Sequence, residues 1–169
     1  TGFTLLEGYG LTETSPCATM NPLDLAEWNG SIGLPMPSTD IIIRADDGRV
    51  LGIGDTGEIC IKGPQVMAGY WQRPELTAEK FVDGWYRSGD LFERDARGLY
   101  YFRGRTDEMF NVGGEKVYPD EVEACIKEMP GVVDALVLGV PDERFGERVA
   151  ALVERAPGQT RPDADAVAT

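Results

Sequence analysis

The sequence predicts an α+β fold, in which a β-rich, barrel-like unit precedes a small α+β unit. Up to about residue 105 the chain reads as short strands separated by glycine turns. After Arg105 a helical apolar period appears, and two apolar strands follow it. A length of 169 residues is sufficient for two small domains. We therefore predict two units, residues 1–106 and residues 107–169, with the boundary near Asp107.

The first unit is predicted to consist of short strands joined by turns. Pro74 is expected to open a short helix that runs through Phe81, because proline is well tolerated in a first helical turn. Glycine-rich residues 8–10 are expected in a loop, and residues 46–48 in a turn. The stretch at residues 57–63 alternates apolar and polar side chains, a pattern typical of a half-buried strand. In all, four strands are predicted, at residues 3–6, 41–43, 57–63 and 98–104.

The second unit is predicted to begin with a helix. Pro119 is expected to start this helix, and the pair Pro130 and Gly131 to end it. Its apolar positions recur at helical spacing: Val122, Cys125, Ile126 and Met129. Strands at residues 132–140 and 147–153 follow, and Pro162 is expected to begin a further helix.

Composition excludes several classes of function. The chain has 16 basic and 29 acidic residues, and its formal charge of -13 repels phosphate backbones, so nucleic acid is not an expected partner. Histidine is absent, which excludes Ser-His-Asp and Cys-His catalysis and leaves oxygen ligands for any metal. Cys17, Cys60 and Cys125 lack CxxC pairing, which favours small buried side chains in a reducing, cytoplasmic compartment. No apolar run approaches the ~18 residues of a membrane span.

The first motif with candidate chemistry is Gly-Tyr-Gly-Leu-Thr-Glu at residues 8–13. Its two glycines allow the backbone to approach a ligand closely, and Tyr9 offers a flat face for a base. Thr12 and Glu13 put a hydroxyl beside a carboxylate, which suits a phosphate oxygen and Mg²⁺. Taken alone, the motif is equally compatible with a polar turn after a strand.

Two further motifs lie downstream. In Tyr-Arg-Ser-Gly-Asp, at residues 86–90, Asp90 behind a tight turn can accept hydrogen bonds from both hydroxyls of a ribose. In Gly-Arg-Thr-Asp, at residues 104–107, Arg105 leaves a strand and can reach ribose or phosphate. The glycine pair in Asn-Val-Gly-Gly-Glu, at residues 111–115, can line a passage too narrow for side chains. Each of these alone is also compatible with an ordinary surface turn or hairpin.

In this order, the motifs resemble those of the adenylate-forming superfamily of acyl-CoA synthetases, nonribosomal peptide adenylation domains and firefly luciferase. The resemblance runs from Leu6 to about Val153 and includes the connecting stretches at residues 69–75 and 77–81. Several multi-residue motifs at compatible spacing make a chance match improbable. The resemblance implies an enzyme that activates a carboxylic acid with Mg-ATP and transfers the acyl group to coenzyme A. It also implies that residues 1–106 are the C-terminal part of a large AMP-binding domain, and that residues 107–169 are an incomplete mobile domain.

The resemblance also implies roles for single residues. Tyr9 would stack on adenine, Thr12 would touch the phosphates and Glu13 would hold Mg²⁺. Asp90 would grip the ribose hydroxyls, and Arg105 would contact the ribose. Thr12, Glu13 and Arg105, together with Asp107 at the hinge, are therefore the expected catalytic residues. The full set expected to contact ATP is Gly8, Tyr9, Gly10, Leu11, Thr12, Asp90, Phe102 and Arg105.

The second unit would supply the hinge and the coenzyme A passage. Asp107 matches the hinge between the large domain and the mobile domain, and Val112, Gly113 and Gly114 would line the passage for pantetheine. The resemblance further implies an upstream phosphate loop and a lysine near the far C-terminus, and neither occurs in these 169 residues. We therefore expect both ends to be cuts inside a longer protein, and this chain by itself to be inactive.

Residues that vary within the superfamily favour one branch. Leu11 and the Val-Tyr-Pro at residues 117–119 resemble acyl-CoA synthetases rather than peptide synthetases, and residues 20–22 and 30–35 resemble the fatty-acyl members. A medium- or long-chain fatty acid is the expected substrate, with an aryl acid such as a cinnamate as the alternative. A peptide-synthetase domain that loads a carrier protein, and a non-catalytic binding module on the same fold, are the alternatives from other classes.

Overall fold

The computed structural model describes residues 5–24 and 28–156 of the chain. Within these residues there are twelve strands, two α-helices and one short 3-10 helix, which confirms the predicted α+β class. The chain divides into two compact units, Thr1–Thr106 and Asp107–Thr169. Residues 3 and 4 of the first predicted strand and the helix predicted after Pro162 lie outside the described residues, and Leu5 and Leu6 are not in a strand.

A three-stranded antiparallel sheet opens the first unit. Its strands are β1 (Gly8–Gly10), β2 (Cys17–Met20) and β3 (Leu34–Pro35), with the 3-10 helix Thr12–Thr14 between the first two. The prediction of a loop at residues 8–10 is wrong, because these residues pair with β2. The glycines permit that pairing: a Cβ at Gly8 would lie 2.8 Å from the Thr19 carbonyl oxygen, and one at Gly10 would lie 1.9 Å from that of Pro16.

A five-stranded antiparallel sheet completes this unit. Its strands, in spatial order, are β4 (Asp40–Arg44), β5 (Thr56–Lys62), β7 (Trp85–Arg94) and β6 (Phe81–Val82), and β8 (Tyr100–Arg105) also pairs with β7. Helix α1 (Pro74–Lys80) precedes β6 and begins at the proline, as predicted. The strand predicted at residues 57–63 is present as β5, but the expectation that it is half-buried is wrong. Residues 57–61 of β5 are all buried, so both of its faces are covered, and the Glu58 carboxylate accepts a hydrogen bond from the buried Gly89 amide.

The two sheets of the first unit share one apolar core. Because β2, β4, β5, β7 and β8 each contribute to it, the core joins the three-stranded sheet to the five-stranded sheet. Burying one large apolar side chain typically stabilises a fold by about 1.5–3 kcal/mol. The buried members are Ala18, Ile41, Ile43, Ile59, Ile61, Phe92 and Tyr100.

The second unit is a four-stranded antiparallel sheet with one helix against it. The strands, in spatial order, are β10 (Glu115–Val117), β9 (Phe110–Val112), β12 (Gly146–Arg155) and β11 (Val132–Asp142). Helix α2 (Pro119–Lys127) packs on β11, and Ile126 is its buried residue. Its core comprises Phe110, Ile126, Ala135 and Val137.

The cysteines do not all follow the prediction of buried side chains. Cys60 is buried and Cys17 is half-buried, but Cys125 is exposed. Successive residues of a helix point about 100° apart. Cys125 therefore lies on the outer side of α2, while its neighbour Ile126 faces the sheet. The described part of the chain has no helix long enough and apolar enough to cross a membrane.

Candidate functional site

Three elements of the first unit bring Tyr9, Asp90 and Arg105 together. The Tyr9 hydroxyl donates a hydrogen bond to Asp90 Oδ2 at 2.5 Å, and Arg105 Nη1 donates one to Asp90 Oδ1 at 2.7 Å. Asp90 and Arg105 are direct cross-strand partners on β7 and β8. The Asp90 side chain is 6% exposed and that of Arg105 is 40% exposed, so the Arg105 guanidinium is accessible from solvent while its carboxylate partner is buried.

The Tyr9 hydroxyl is protonated and can donate its hydrogen bond to Asp90 at neutral pH. Burial raises the pKa of the Tyr9 hydroxyl, and its hydrogen bond to the Asp90 carboxylate raises the pKa further. A phenol is already protonated at neutral pH, and the raised pKa keeps it a donor in alkaline solution as well. Each carboxylate oxygen of Asp90 has a further lone pair with which it can accept a hydrogen bond from a ligand hydroxyl.

Asp90 and the residues before it lie in β7, so the prediction of a tight turn ahead of Asp90 is wrong. The pairing of β5 with β7 contains a β-bulge, where the register shifts between Glu58 and Cys60. Gly89 has φ +81° at this point, a backbone conformation that favours glycine. The bulge re-aims the side chain of the next residue, which is Asp90.

A buried carboxylate holds this bulge in position. Glu58 Oε1 accepts a hydrogen bond from the Gly89 amide at 2.9 Å. Glu58 Oε2 accepts from Arg87 Nε at 2.8 Å and from Arg87 Nη2 at 2.6 Å. On the other side, the Gly89 carbonyl accepts from the amide and the hydroxyl of Thr106, at 2.8 and 3.0 Å. The backbone before Asp90 is thus fixed at both its amide and its carbonyl.

An aromatic row lies beside this cluster. Tyr9 packs edge-on against Phe92, with ring centroids 4.9 Å apart, and Phe92 packs against Phe102 at 5.4 Å. Phe92 is fully buried, whereas Phe102 is exposed. Phe102 therefore exposes an apolar ring surface on β8, the strand that also carries Arg105, and its place beside a nucleotide stays a prediction.

Glu13 belongs to the 3-10 helix and is half-buried, while its neighbour Thr12 is exposed. Glu13 Oε1 accepts a hydrogen bond from the Tyr70 hydroxyl at 2.8 Å. Leu11, at the start of this helix, packs against the apolar core. The hydroxyl and the carboxylate of the motif therefore project from a short turn that the core anchors.

The donor set at Glu13 fits one kind of metal binding. Among the residues that the structure describes, no three His, Cys, Asp or Glu side chains come together as a cage for a metal ion. Mg²⁺ usually keeps several waters and is bound by one or two carboxylates together with the phosphates of a substrate. One carboxylate beside one hydroxyl fits a phosphate-bound Mg²⁺ and does not fit a resident metal centre.

The remaining candidates lie in the second unit. Val112 ends β9, and Gly113 and Gly114 form the turn into β10, with φ +62° and +101°. Asn111 Oδ1 accepts a hydrogen bond from the Gly114 amide at 2.7 Å, which closes this turn. Asp107 is the first residue of the unit and is exposed. Their roles in coenzyme A binding and in hinge motion stay predictions.

Sequence reasoning missed Glu58 and Tyr70. Glu58 stands at a polar position of an alternating strand, which indicates solvent rather than a buried ion pair. Tyr70 is one aromatic residue in a loop, and its partner Glu13 is 57 residues away in the chain. The sequence contains one indication of their importance: both residues lie within the resemblance from Leu6 to Val153, and Tyr70 lies in its connecting stretch at residues 69–75.

Comparison with known proteins gives the same family for both units. A family model for AMP-binding enzymes matches residues 1–71, and a model for the C-terminal domain of AMP-binding enzymes matches residues 121–169. The chain belongs to the family of AMP-binding enzymes. It is 45% identical to a long-chain-fatty-acid–CoA ligase of Yersinia pestis over 96% of this chain and 29% of that protein.

Two further relatives extend the comparison. A feruloyl-CoA synthase of Amycolatopsis is 42% identical, over 97% of this chain and 33% of that protein. The crystal structure of ATP-bound MatB from Rhodopseudomonas palustris matches with a TM-score of 0.89 and 42% identity, over 97% of this chain and 33% of that chain. The chain therefore spans about a third or less of the length of these relatives.

Proposed function

We propose that the full-length protein is an AMP-forming acyl-CoA ligase that activates a carboxylic acid with Mg-ATP and passes the acyl group to coenzyme A. The observation that carries the proposal is the cluster of Tyr9, Asp90 and Arg105, in which a buried carboxylate with further acceptor capacity lies beside a cation and an aromatic row. Vicinal ribose hydroxyls match the acceptors, an α-phosphate matches the cation, and a purine matches the aromatic surface.

The first half-reaction joins the acid to AMP. A carboxylate oxygen of the acid attacks the α-phosphorus of ATP, a new P–O bond forms, and the bond to pyrophosphate breaks. Asp90 and Phe102 hold the nucleoside, while Arg105 offsets negative charge near the phosphates. Thr12 donates to a phosphate oxygen, and Glu13 would hold Mg²⁺, which when bound neutralises and orients the phosphates. No step needs a histidine.

The second half-reaction moves the acyl group to sulfur. The thiolate of coenzyme A attacks the acyl carbon, a thioester bond forms, and AMP leaves. In this proposal Val112, Gly113 and Gly114 line the approach of the pantetheine arm. A side chain at Gly114 would meet nothing within 4 Å, so this face of the hairpin is open to a ligand within its own unit.

A fatty acid is the substrate class that the relatives favour, on the 45% identity to a long-chain-fatty-acid–CoA ligase. An aryl acid is the second candidate, because the identity to a feruloyl-CoA synthase is nearly as high, at 42%. The proposal includes a cytoplasmic location, supported by three free cysteines among the described residues. The phosphate loop and the C-terminal lysine are expected outside residues 1–169, so this chain alone is proposed to be inactive.

Pyrophosphate exchange tests the proposal and its substrate. Full-length protein is assayed for acid-dependent ATP–pyrophosphate exchange with fatty acids of graded length, with cinnamates and with amino acids. Thioester formation with coenzyme A is then measured by mass spectrometry. Exchange with a fatty acid, followed by acyl-CoA formation, is the expected result. Exchange with amino acids alone would support a peptide-synthetase domain, and ATP binding without exchange would support a binding module.

A further inference from the structure

Glu13 is held by the loop after β5, which contains none of the predicted site residues. The Tyr70 hydroxyl donates to Glu13 Oε1 at 2.8 Å, and the Met67 amide donates to the Glu13 carbonyl at 2.9 Å. The loop after β5 thus binds both the side chain and the backbone of Glu13. Such a double attachment restricts the carboxylate far more than the short 3-10 helix does by itself.

Tyr70 is in turn fixed from both ends. Its amide donates to Thr77 Oγ1 at 3.0 Å, and Thr77 lies in α1. Gly69 precedes it with φ +148°, and a Cβ there would lie 2.7 Å from Thr77 Cγ2, so the loop packs closely on the helix. At the other end of the residue, the Tyr70 hydroxyl is held by its hydrogen bond to Glu13.

We infer that Tyr70 is a positioning residue for Glu13, which it holds in place for the Mg²⁺ of the bound ATP complex. The inference rests on the proposed function, which gives Glu13 its role. A glutamate side chain has several rotatable bonds, and a ligand that must meet a metal ion needs one orientation. The hydrogen bond from Tyr70 occupies Oε1 and leaves the orientation of Oε2 defined. Loss of a comparable partner behind a metal ligand typically lowers metal affinity or activity ~10- to 100-fold.

Tyr70→Phe in the full-length protein removes the hydroxyl and keeps the ring. We expect the Mg²⁺ concentration for half-maximal pyrophosphate exchange to rise about 10- to 100-fold. Calorimetry provides a second measurement: Mg-ATP binding should weaken by a similar factor, while ATP binding in the presence of a chelator should be unchanged. In a Glu13→Gln background, Tyr70→Phe should have no further effect on either quantity.

Tyr101→Phe is the matched control. The Tyr101 hydroxyl also donates to a carboxylate, Asp95 Oδ2, at 3.2 Å, but it lies at a surface turn of the same unit. This variant should leave the Mg²⁺ dependence at the wild-type value, with Mg-ATP binding also unchanged.

Several outcomes would overturn the inference. An unchanged Mg²⁺ dependence in Tyr70→Phe, even with a lowered unfolding temperature, would reduce Tyr70 to a structural residue. An equal loss of ATP affinity with and without Mg²⁺ would have the same meaning. If wild-type protein lacks exchange activity, the proposed function fails, and the calorimetric comparison still decides the role of Tyr70. Absence of any Mg²⁺ effect on wild-type ATP binding would overturn both.

Discussion

Asp90 is a buried charge whose two oxygens both have partners. An unpaired carboxylate at such a depth is strongly unfavourable, and Arg105 and Tyr9 remove most of that penalty by binding one oxygen each. Because neither bond uses all the lone pairs of its oxygen, the carboxylate can accept ligand hydroxyls without first losing its partners. In the proposed function, this cluster would be a preorganised acceptor for the ribose diol.

Asp90→Asn tests this arrangement with little change of shape. The amide is neutral, and its nitrogen cannot accept a hydrogen bond, so at least one of the bonds from Tyr9, Arg105 or the ribose is lost. A charge-assisted hydrogen bond is worth about 1.5–3 kcal/mol, so ATP should bind roughly ten- to a hundred-fold more weakly. Calorimetry on full-length protein measures the effect, with Asp47→Asn as the control in an exposed turn. Equal ATP affinities in the two variants would leave Asp90 without a ribose role.

Cys60 allows a test of the burial of β5. Its side chain is fully buried, and burial, aided by the neighbouring Glu58 charge, raises the pKa of the thiol to about 11. At pH 8 the thiolate is then on the order of one part in a thousand, and reagents have no access to it. We expect maleimide to spare Cys60 in native full-length protein at pH 8, while the exposed Cys125 reacts. Peptide mass spectrometry measures the labelling, and after unfolding in urea both Cys60 and Cys125 should react with maleimide. Native labelling of Cys60 at the rate of Cys125 would contradict its burial.

The bulge between β5 and β7 shows how an element positions a residue. Gly89 supplies the backbone conformation, Glu58 binds its amide, and Thr106 binds its carbonyl. A regular strand would point Asp90 in a different direction relative to Tyr9 and Arg105. The site therefore depends on an irregularity of the sheet as much as on the residues of the motif.

Gly89→Ala should disturb the bulge through its backbone. A left-handed conformation disfavours alanine by about 1–2 kcal/mol, and the nearest atom to the new methyl group would be Thr106 Oγ1 at 3.6 Å, an ordinary contact. Gly48→Ala is the matched control, because Gly48 has φ +84° and nothing within 4 Å, at a turn away from the motifs. We expect both variants to lower the unfolding temperature, and only Gly89→Ala to weaken ATP binding, by about tenfold or more. Equal ATP affinities would show that the bulge does not position Asp90.

The sequence predicts the regular elements better than it predicts the irregular ones. β4, α1 and α2 have clear apolar periods or an initial proline, and the structure contains each of them at nearly the predicted bounds. β7 has no such period, because Arg87, Ser88 and Asp90 are polar residues that find partners inside the protein. The partner of Gly89 is Glu58, 31 residues away. Such a contact depends on strand register, which local pattern does not specify.

The same distinction applies to the site. Family resemblance predicted Tyr9, Asp90, Phe102 and Arg105 as nucleotide contacts. The structure joins Tyr9, Asp90 and Arg105 by hydrogen bonds, and Phe102 packs on Phe92, the ring that Tyr9 also contacts. Resemblance did not predict how Asp90 and Glu13 are supported, since supporting residues act through long-range hydrogen bonds. Residue identity at a motif position therefore indicates the chemistry, whereas its geometry comes from the rest of the unit.

At the scale of the whole molecule, the chain consists of two compact units that meet in sequence between Thr106 and Asp107. Thr106 is tied to the Gly89 carbonyl by both its amide and its hydroxyl, so the last residue of the first unit is anchored to the site. A backbone rotation beginning at Asp107 would therefore leave the Asp90 cluster intact. That property is required of a hinge between two half-reactions that share one nucleotide site.

Asp107→Pro tests the hinge in the full-length protein. Proline fixes φ near −65° and removes the amide donor, whereas Asp107→Ala removes the same side chain and leaves the backbone free. We expect the proline variant to keep the arrangement used for adenylation, so pyrophosphate exchange survives while acyl-CoA formation falls steeply. The alanine variant should retain both activities, which separates the backbone from the carboxylate. The two activities must be measured side by side in one preparation of each variant.

Equal losses of both activities in Asp107→Pro would make Asp107 an ordinary structural residue. Full retention of both would mean that the rotation occurs elsewhere in the chain or is not part of the reaction.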